Sequence, residues 1–455
     1  MTFSVLGKNV VVVGAGRSGG PAAELLATRG AHVTLADSAS SIDREAELRK
    51  AGIHLDLGPH RSNQFASADL VVLSPGVDPE QAAIAAVRRS GVPVIGEVEM
   101  ASRWLKGRMV AITGTKGKST TTTLTSRMLQ EAGFDAPAGG NLGPALSSHV
   151  AASTEKTLHV VEVSSFQLEG TDAFHPWIAV LLNLSPDHLD RHPTFAAYRD
   201  AKARIFANQT SSDWAVINLD DDEARALAPM RANGPKRFDF ALDAPITDGV
   251  TVERGTIVRR SGDTVSPLLP VSSVKVPGRH ILSDVLAATA VSCLAGVPPA
   301  AMQRAVETFQ GLEHALQRVA TIGGVQFIND SKATNIASAK RAIESFDGQL
   351  VVIMGGKYKG GDFAELAEPL RARGASVVAI GEARPRIHAA LDGVVPVTDA
   401  TSMEEAVHMA ARRVTPGGTV LLAPACSSFD MFRDYTERGN FFVQAVQKWE
   451  MAVRS

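Results

Sequence analysis

The sequence predicts an α/β protein of three consecutive domains, because strand-like and helix-like patterns alternate through most of its 455 residues. Short β-branched runs end in glycine-rich or polar loops, and amphipathic stretches follow them. That order predicts parallel sheets whose carboxyl edges carry the functional loops. The predicted domains are 1–97, Rossmann-like, 98–310, a central phosphate-loop (P-loop) ATPase-like α/β domain, and 311–455, again Rossmann-like.

Composition excludes several classes of protein. A net charge of −2 provides no basic field for nucleic acid, and aromatic residues make up only 5% of the chain. The two cysteines, Cys293 and Cys426, are too far apart in sequence to indicate a disulfide framework or a zinc site. No leader pattern and no apolar run of membrane-spanning length is present, so we expect a cytoplasmic protein without membrane insertion.

In the first predicted domain, the chain reads strand, glycine motif, helix and strand. The motif at 14–19 is G-x-G-x-x-G, and the strand after the helix ends at Asp37. This pattern predicts a nucleotide or diphosphate on a helix N-terminus, with the carboxylate on a ribose or base. A glycine turn needed only for close packing is the alternative. A later strand ends at 74–76 (Ser-Pro-Gly), where ligands of doubly wound sheets bind.

The second predicted domain opens with a strand–loop–helix pattern around the motif T-G-T-K-G-K-S-T at 113–120. The glycines let consecutive N–H groups point at phosphate oxygens, Lys118 can reach the β- and γ-phosphates, and the Ser119 hydroxyl can coordinate Mg²⁺. The usual P-loop spacing would place a glycine where Ile112 stands. A glycine–lysine turn on a surface hairpin is the alternative.

Acidic and histidine side chains follow the next buried strands. Glu162 lies near the end of one strand, where P-loop enzymes place the residue that completes the Mg²⁺ shell. His188 stands between Asp187 and Asp190 after the next strand, as a ligand or as a structural histidine. Residues 213–275 are expected to form a small antiparallel excursion.

The third predicted domain repeats the alternation of strand and helix. One strand ends in a polar loop at 329–335, another runs into a glycine–lysine loop at 355–359, and a final loop spans 424–435. Because each domain carries functional residues at strand ends, we expect a site assembled between domains.

Together these motifs resemble the Mur ligases, and the ending 424–439 resembles their D-glutamate-adding branch more than its siblings. The resemblance covers almost the whole chain. It implies an ATP-dependent amide ligase that adds D-glutamate to UDP-N-acetylmuramoyl-L-alanine through an acyl phosphate, in peptidoglycan synthesis. It also implies ATP and two Mg²⁺ sites, with no nucleic acid and no obligate protein partner.

The resemblance further implies roles for individual residues. The implied catalytic residues are Lys118, Glu162, His188, Lys202 and Lys332. ATP would contact Gly114, Thr115, Lys116, Gly117, Lys118, Ser119, Thr120, Asp330 and Lys332, and the metal ions would contact Ser119, Glu162, His188 and Lys202. The UDP-sugar would contact Gly16, Arg17, Ser18, Asp37, Ser74, Gly76 and Asn141. D-Glutamate would contact Thr334, Lys359, Ser428 and Tyr435.

Lys202 matches a position that is carbamylated in the family. Carbamylation would replace a cation beside Mg²⁺ by a carboxylate, which is electrostatically favourable. The alternative is a solvated helix lysine.

Three positions depart from the family pattern. His280-Ile281 and Asp284 replace His-Asn-x-x-Asn, His314-Ala315 replaces His-Arg, and Lys116 replaces an asparagine. The first two changes predict altered nucleotide contacts. Three other functions stay open: a related ligase adding a different amino acid, a dinucleotide-dependent oxidoreductase, and a non-catalytic nucleotide-binding protein.

Overall fold

The computed structural model describes residues 3–61, 64–188, 191–230 and 232–454. The chain divides into two compact units, one of residues 1–273 with 283–307 and the other of residues 274–282 with 308–455. The first unit includes most of the first two predicted domains, and the predicted boundaries at residues 97 and 310 stay a prediction. Within the described residues, no helix is long and apolar enough to cross a membrane.

The first unit begins with a parallel sheet in the order β3-β2-β1-β4-β5. Its strands are β1 (Asn9–Val13), β2 (His32–Asp37), β3 (His54–Leu57), β4 (Leu70–Leu73) and β5 (Val94–Gly96). Its helices are α1 (Gly19–Thr28), α2 (Glu45–Lys50), α3 (Ala82–Arg89) and α4 (Glu97–Ser102). Val10 and Val12 enter one apolar core, whereas Val11 and Val13 enter another. This alternation buries both faces of β1, which explains its continuous β-branched sequence.

A second parallel sheet in the same unit has the order β11-β10-β9-β6-β8-β7. Its strands are β6 (Arg108–Thr113), β7 (Ala138–Gly140), β8 (Leu158–Glu162), β9 (Ile178–Leu181), β10 (Trp214–Ile217) and β11 (Lys236–Arg237). Its helices are α5 (Lys118–Glu131), α6 (Leu146–His149), α7 (Ser165–Glu169), α8 (Phe195–Ala203) and α9 (Asp222–Ala226), with 3-10 turns at Val150–Ala152 and Arg204–Phe206. Since β6 lies between β8 and β9, the ends of these three strands adjoin.

The antiparallel excursion expected at 213–275 is smaller than predicted. Residues Trp214–Ile217 instead pair in parallel with β9 as strand β10, because all but the first of them are buried. Antiparallel pairing begins only with β13 (Asp248–Glu253), β14 (Thr256–Ser261) and β15 (Thr264–Pro270), preceded by β12 (Asp239–Phe240). A 3-10 turn, Val271–Ser273, and helices α10 (Arg279–Ala295) and α11 (Pro299–Glu307) follow.

The second unit has a sheet in the order β16-β17-β21-β18-β19-β20, parallel except for the β16–β17 hairpin. Its strands are β16 (Gln317–Ile322), β17 (Val325–Asn329), β18 (Leu350–Gly355), β19 (Ser376–Ile380), β20 (Val397–Asp399) and β21 (Thr419–Leu422). Its helices are α12 (Ile336–Glu344), α13 (Ala367–Arg371), α14 (Arg384–Leu391), α15 (Met403–Arg413) and α16 (Tyr435–Arg454), with a 3-10 turn at Phe363–Leu366. The α/β class and the mostly parallel sheets are confirmed.

Candidate active site

A cavity of about 480 Å³ opens at the carboxyl edge of the first sheet. Its lining includes all seven residues that the sequence predicts for the UDP-sugar: Gly16, Arg17, Ser18, Asp37, Ser74, Gly76 and Asn141. Asn141 comes from the loop after β7 of the second sheet, so both sheets contribute to the cavity. Its volume suits a small-molecule ligand.

The glycine motif at the cavity floor is held in place by two of these residues. Asp37 Oδ2 accepts a 2.7 Å hydrogen bond from the Ala15 N–H, and Ser74 Oγ donates one of 2.7 Å to the Gly14 carbonyl. A Cβ at position 19 would come within 1.8 Å of that carbonyl oxygen, so only glycine permits this approach. Asp37 therefore shapes the loop and still has lone pairs for a ligand.

The P-loop joins β6 to α5. Gly117, immediately before the helix, has a φ of +83°, and a Cβ there would lie 2.1 Å from Asp284 Oδ1. Asn183 fixes the preceding turn, because its side chain exchanges hydrogen bonds of 2.9 and 3.0 Å with the backbone of Lys116. The loop thus opens onto the N-terminus of a 14-residue helix, which favours bound phosphate.

Two lysines share one carbonyl oxygen of this loop. Lys118 Nζ donates to the Gly114 carbonyl at 3.0 Å, and Lys202 Nζ donates to the same oxygen at 2.9 Å. Lys202 is buried, and its Nζ also lies 4.8 Å from the centre of the Tyr198 ring. Burial first, and the charge of Lys118 second, hold the pKa of Lys202 well below its ordinary value. A solvated helix lysine, the alternative considered from the sequence, is therefore wrong.

Glu162 is the last residue of β8 and pairs in register with Ile112 of β6. Asn141 Nδ2 donates to its Oε1 at 2.7 Å. The other oxygen, Oε2, is buried and accepts no hydrogen bond from the residues that the structure describes. A buried carboxylate oxygen without a donor suits a cation, so this position fits Mg²⁺.

His188 follows β9 and is exposed, with a φ of +54°. Its ring packs edge-on against Phe166, with the ring centres 5.0 Å apart. Leu189 and Asp190, which belong to the same predicted motif, lie outside the described residues. Three adjacent strands of one sheet therefore lead to the predicted residues: β6 to Lys118, β8 to Glu162 and β9 to His188.

Among the residues that the structure describes, acidic, histidine and cysteine side chains do not form a metal cage by themselves. In the described part of the chain, no three of them come together as a group that could hold an ion. Mg²⁺ in nucleotide-binding sites is usually held by one or two protein groups together with phosphate oxygens and water.

In the second unit, the predicted residues lie on loops that follow strand ends, except for Tyr435, which is the first residue of α16. Asp330 is buried and accepts a hydrogen bond from the Leu316 N–H, while Lys332 is exposed. The remaining predicted residues are Thr334, Lys359, Ser428 and Tyr435, of which Ser428 is buried and Lys359 and Tyr435 are exposed. Lys359 Nζ lies 5.4 Å from the centre of the Phe429 ring.

Comparison with known families accounts for this arrangement. Residues 8–96 match the Mur ligase MurD-like N-terminal domain, 112–292 match the Mur ligase middle domain, and 314–426 match the Mur ligase glutamate ligase domain. The chain belongs to the Mur ligase family.

Two relatives of this Mur ligase share a name. The UDP-N-acetylmuramoylalanine–D-glutamate ligase of Acidobacterium capsulatum is 44% identical over 445 residues, which cover 97% of this chain and 96% of the relative. The ligase of the same name from Geobacter metallireducens is 42% identical over 447 residues, 98% of each chain.

Two solved structures have a similar fold. UDP-N-acetylmuramate-alanine ligase MurC from Thermotoga maritima gives a TM-score of 0.60 at 20% identity, covering 97% of this chain and all of that one. MurF ligase from Thermotoga maritima, solved with ADP, gives a TM-score of 0.60 at 16% identity, and the match covers 99% of this chain and 96% of that one. At such identities the likeness concerns the fold.

Two of the departures from the family pattern can be located in this Mur ligase. Asp284 is buried with its carboxylate against Gly117, so an acidic group stands beside the P-loop. Lys116 Nζ pairs with Asp187 at 3.5 Å, which offsets the added cation. Lys116 and Asp187 therefore join the P-loop to the segment that carries His188.

Sequence reasoning did not select four polar side chains of the cavity. They are Ser38, His60, Gln81 and Gln167. Gln167 belongs to the motif that follows Glu162, and its side chain completes a capping box with Ser164 at the start of α7. His60 has no sequence motif around it, so only the fold could identify it.

The titration of Asp330 provides a pH-dependent test of the site. Burial raises the pKa of Asp330 from 3.8 to about 7. The folded chain therefore keeps a proton that the unfolded chain releases, and the resulting loss of stability is absent below pH 3.8, grows up to about pH 7 and then levels off. The stability difference between Asp330→Asn and wild type, measured by urea unfolding, should therefore be about 3 kcal/mol more favourable to the variant at pH 8 than at pH 5.

Asp347→Asn is the matched control, because Asp347 is exposed in the same unit. It should change stability equally at the two pH values. The same equality in Asp330→Asn would contradict the raised pKa.

Proposed function

We propose that this Mur ligase joins D-glutamate to UDP-N-acetylmuramoyl-L-alanine at the expense of ATP, in peptidoglycan synthesis. The observation that carries the proposal is full-length similarity, at 44% and 42% identity, to ligases named for this reaction. The cavity, the P-loop and the buried lysine of the first unit support it.

The reaction needs an activated carboxylate, because a carboxylate is a poor electrophile. The γ-phosphoryl group of ATP passes to an oxygen of the alanine carboxylate, which gives ADP and an acyl phosphate. The D-glutamate amine attacks the acyl carbon, a tetrahedral intermediate forms and loses a proton, and phosphate leaves as the amide forms. Negative charge accumulates on the oxygens at each stage, so the site must supply cations and N–H donors.

The P-loop supplies these groups for ATP. Its N–H groups and the N-terminus of α5 would hold the phosphates, and Lys118 would turn from the Gly114 carbonyl to the transferring phosphoryl group. In the second unit, Asp330 and Lys332 would contact the nucleotide.

Mg²⁺ fits the carboxylate of Glu162, whose buried Oε2 accepts no hydrogen bond from the described residues. Ser119 and Glu162 would hold one ion, and His188 together with a carbamate on Lys202 would hold a second. When bound, Mg²⁺ supplies positive charge to the phosphate and acyl oxygens. The low pKa of Lys202 supports the carbamate, because only the neutral amine reacts with CO₂.

The UDP-sugar and D-glutamate would each be bound by a separate set of residues. The UDP moiety would occupy the 480 Å³ cavity along Gly16, Arg17, Ser18, Asp37, Ser74 and Gly76, with Asn141 at the sugar end. D-Glutamate would place its α-carboxylate on Thr334 and Lys359 and its side-chain carboxylate on Ser428 and Tyr435. Cations and hydroxyl groups are the partners that a dicarboxylate requires.

A coupled phosphate-release assay tests the function. Phosphate should appear only when ATP, Mg²⁺, UDP-N-acetylmuramoyl-L-alanine and D-glutamate are all present, and L-glutamate should not replace D-glutamate. Turnover with a different amino acid would favour a related ligase. Binding of ATP without turnover would favour a non-catalytic protein, and binding of NAD(P)H would favour an oxidoreductase.

A further inference from the structure

Arg438, near the start of α16, is a buried cation that the proposed reaction does not use. Its side chain has no exposed surface. Within the described residues, the structure gives it no ion pair with a carboxylate at salt-bridge distance, although the charge of Asp430 acts on it weakly. Burial lowers its pKa to about 10, so it still carries its charge at neutral pH. A buried charge without an ion-pair partner is costly, so its hydrogen bonds and its location need an explanation.

The guanidinium of Arg438 connects two loops at the carboxyl edge of the second unit's sheet. Its Nε donates to Ser331 Oγ at 2.9 Å, and its Nη2 donates to the Ser331 carbonyl at 2.8 Å. Its Nη1 donates to the Cys426 carbonyl at 3.0 Å. Ser331 Oγ in turn donates to the Tyr435 carbonyl at 2.7 Å, which ties the start of α16 to the same cluster.

A third loop packs against the same group. Gly356, just after β18, has a φ of +127°, and a Cβ there would lie 2.2 Å from the Ser427 carbonyl and 3.2 Å from Arg438 Nη1. Lys357 and Ser427 exchange backbone hydrogen bonds of 2.9 and 3.1 Å across this contact. The loop that carries Lys359 is therefore fixed against the loop that carries Ser428.

These connections involve every segment assigned to the amino acid. Thr334 is three residues after Ser331, Ser428 is two residues after Cys426, Lys359 is three residues after Gly356, and Tyr435 begins α16. Arg438 thus holds segments that carry all four proposed D-glutamate contacts, but it is not itself one of these contacts.

We propose that Arg438 is a positioning residue for the amino-acid substrate. It fixes the spacing between the loops that receive the two carboxylates of D-glutamate, and its buried positive charge favours a doubly charged acid. The inference rests on the proposed function. Only arginine can serve here, because its planar fork donates along three directions at once, whereas lysine keeps the charge but not the fork.

Kinetics of Arg438→Lys and Arg438→Met test this role. Arg438→Lys should raise the KM for D-glutamate by about tenfold, and Arg438→Met by more, because several hydrogen bonds to a charged group are lost. The KM values for ATP and for UDP-N-acetylmuramoyl-L-alanine should change less than about twofold. The ratio of kcat/KM for D-glutamate to that for D-glutamine should fall in Arg438→Met, because the second carboxylate loses its attraction.

Arg371→Met is the matched control, because Arg371 is an exposed arginine of the same unit. It should leave all three KM values unchanged. If the Arg438 variants do not fold, Ser331→Ala removes two of the hydrogen bonds and should still raise the D-glutamate KM by about threefold.

The outcomes separate this inference from the proposed function. A wild-type enzyme that does not use D-glutamate would overturn the proposed function and this inference with it. A wild-type enzyme that uses D-glutamate, with folded Arg438 variants whose three KM values rise equally or not at all, would overturn only the role of Arg438.

Discussion

Replacing Lys118 by alanine should lower kcat/KM for ATP by about 10³-fold or more. Lys118 lies at the start of α5, and its ammonium contacts the Gly114 and Thr115 carbonyls of the loop. Its removal takes away the cation that the P-loop directs at the transferring phosphoryl group. Steady-state phosphate release at saturating UDP-N-acetylmuramoyl-L-alanine and D-glutamate measures the loss.

Two variants control this result. Lys156→Ala removes an exposed lysine from the turn before β8, at the opposite edge of the sheet, and should retain wild-type activity. Lys118→Arg keeps the charge but changes its shape, so it should recover only part of the activity. If Lys118→Ala were about as active as Lys156→Ala, the proposed role of the P-loop in the reaction would be contradicted.

The cavity of the first unit could be predicted because local patterns determine it. A glycine motif, an acidic strand end at Asp37 and the strand end at Ser74 each have a sequence signature, and parallel pairing brings strand ends to one edge. The structure adds that Asp37 and Ser74 also hold the glycine motif by hydrogen bonds. Sequence reasoning could not supply that detail, because it depends on distances between strands.

Other features depend on packing that one sequence does not reveal. The short apolar pattern of Trp214–Ile217 is compatible with an antiparallel or a parallel strand. Only its pairing with β9 shows that the strand is parallel. The Glu97 carboxylate at the start of α4 accepts a hydrogen bond from the Ser147 N–H, a contact between distant segments that no local pattern indicates. Arg438 lies in the segment 424–439 that resembles the D-glutamate-adding branch, but the resemblance does not indicate its burial. That burial depends on contacts with the distant Ser331 and with Cys426.

Replacing Lys202 by alanine should reduce activity at least about 100-fold, and a short carboxylate such as acetate should restore part of it. The lysine is buried beside the P-loop, where its ammonium and that of Lys118 meet one carbonyl oxygen. Two cations so close repel each other, and burial adds to the effect, so the neutral amine is favoured. That amine can react with CO₂ to give a carbamate and a proton, which replaces the repulsion by an attraction to Lys118.

A measurement independent of activity decides whether the carbamate forms. Wild-type protein equilibrated with carbon-13 bicarbonate should give a carbamate resonance that Lys202→Ala lacks, and Lys156→Ala should keep it. In Lys118→Ala the pKa of Lys202 should rise, because the second cation is gone, so the carbamate should become less populated at a given pH. A wild-type spectrum without the resonance, together with no recovery by acetate in Lys202→Ala, would mean that Lys202 acts as an unmodified amine. Lys202 would then hold the Gly114 carbonyl in place without contributing to a metal site.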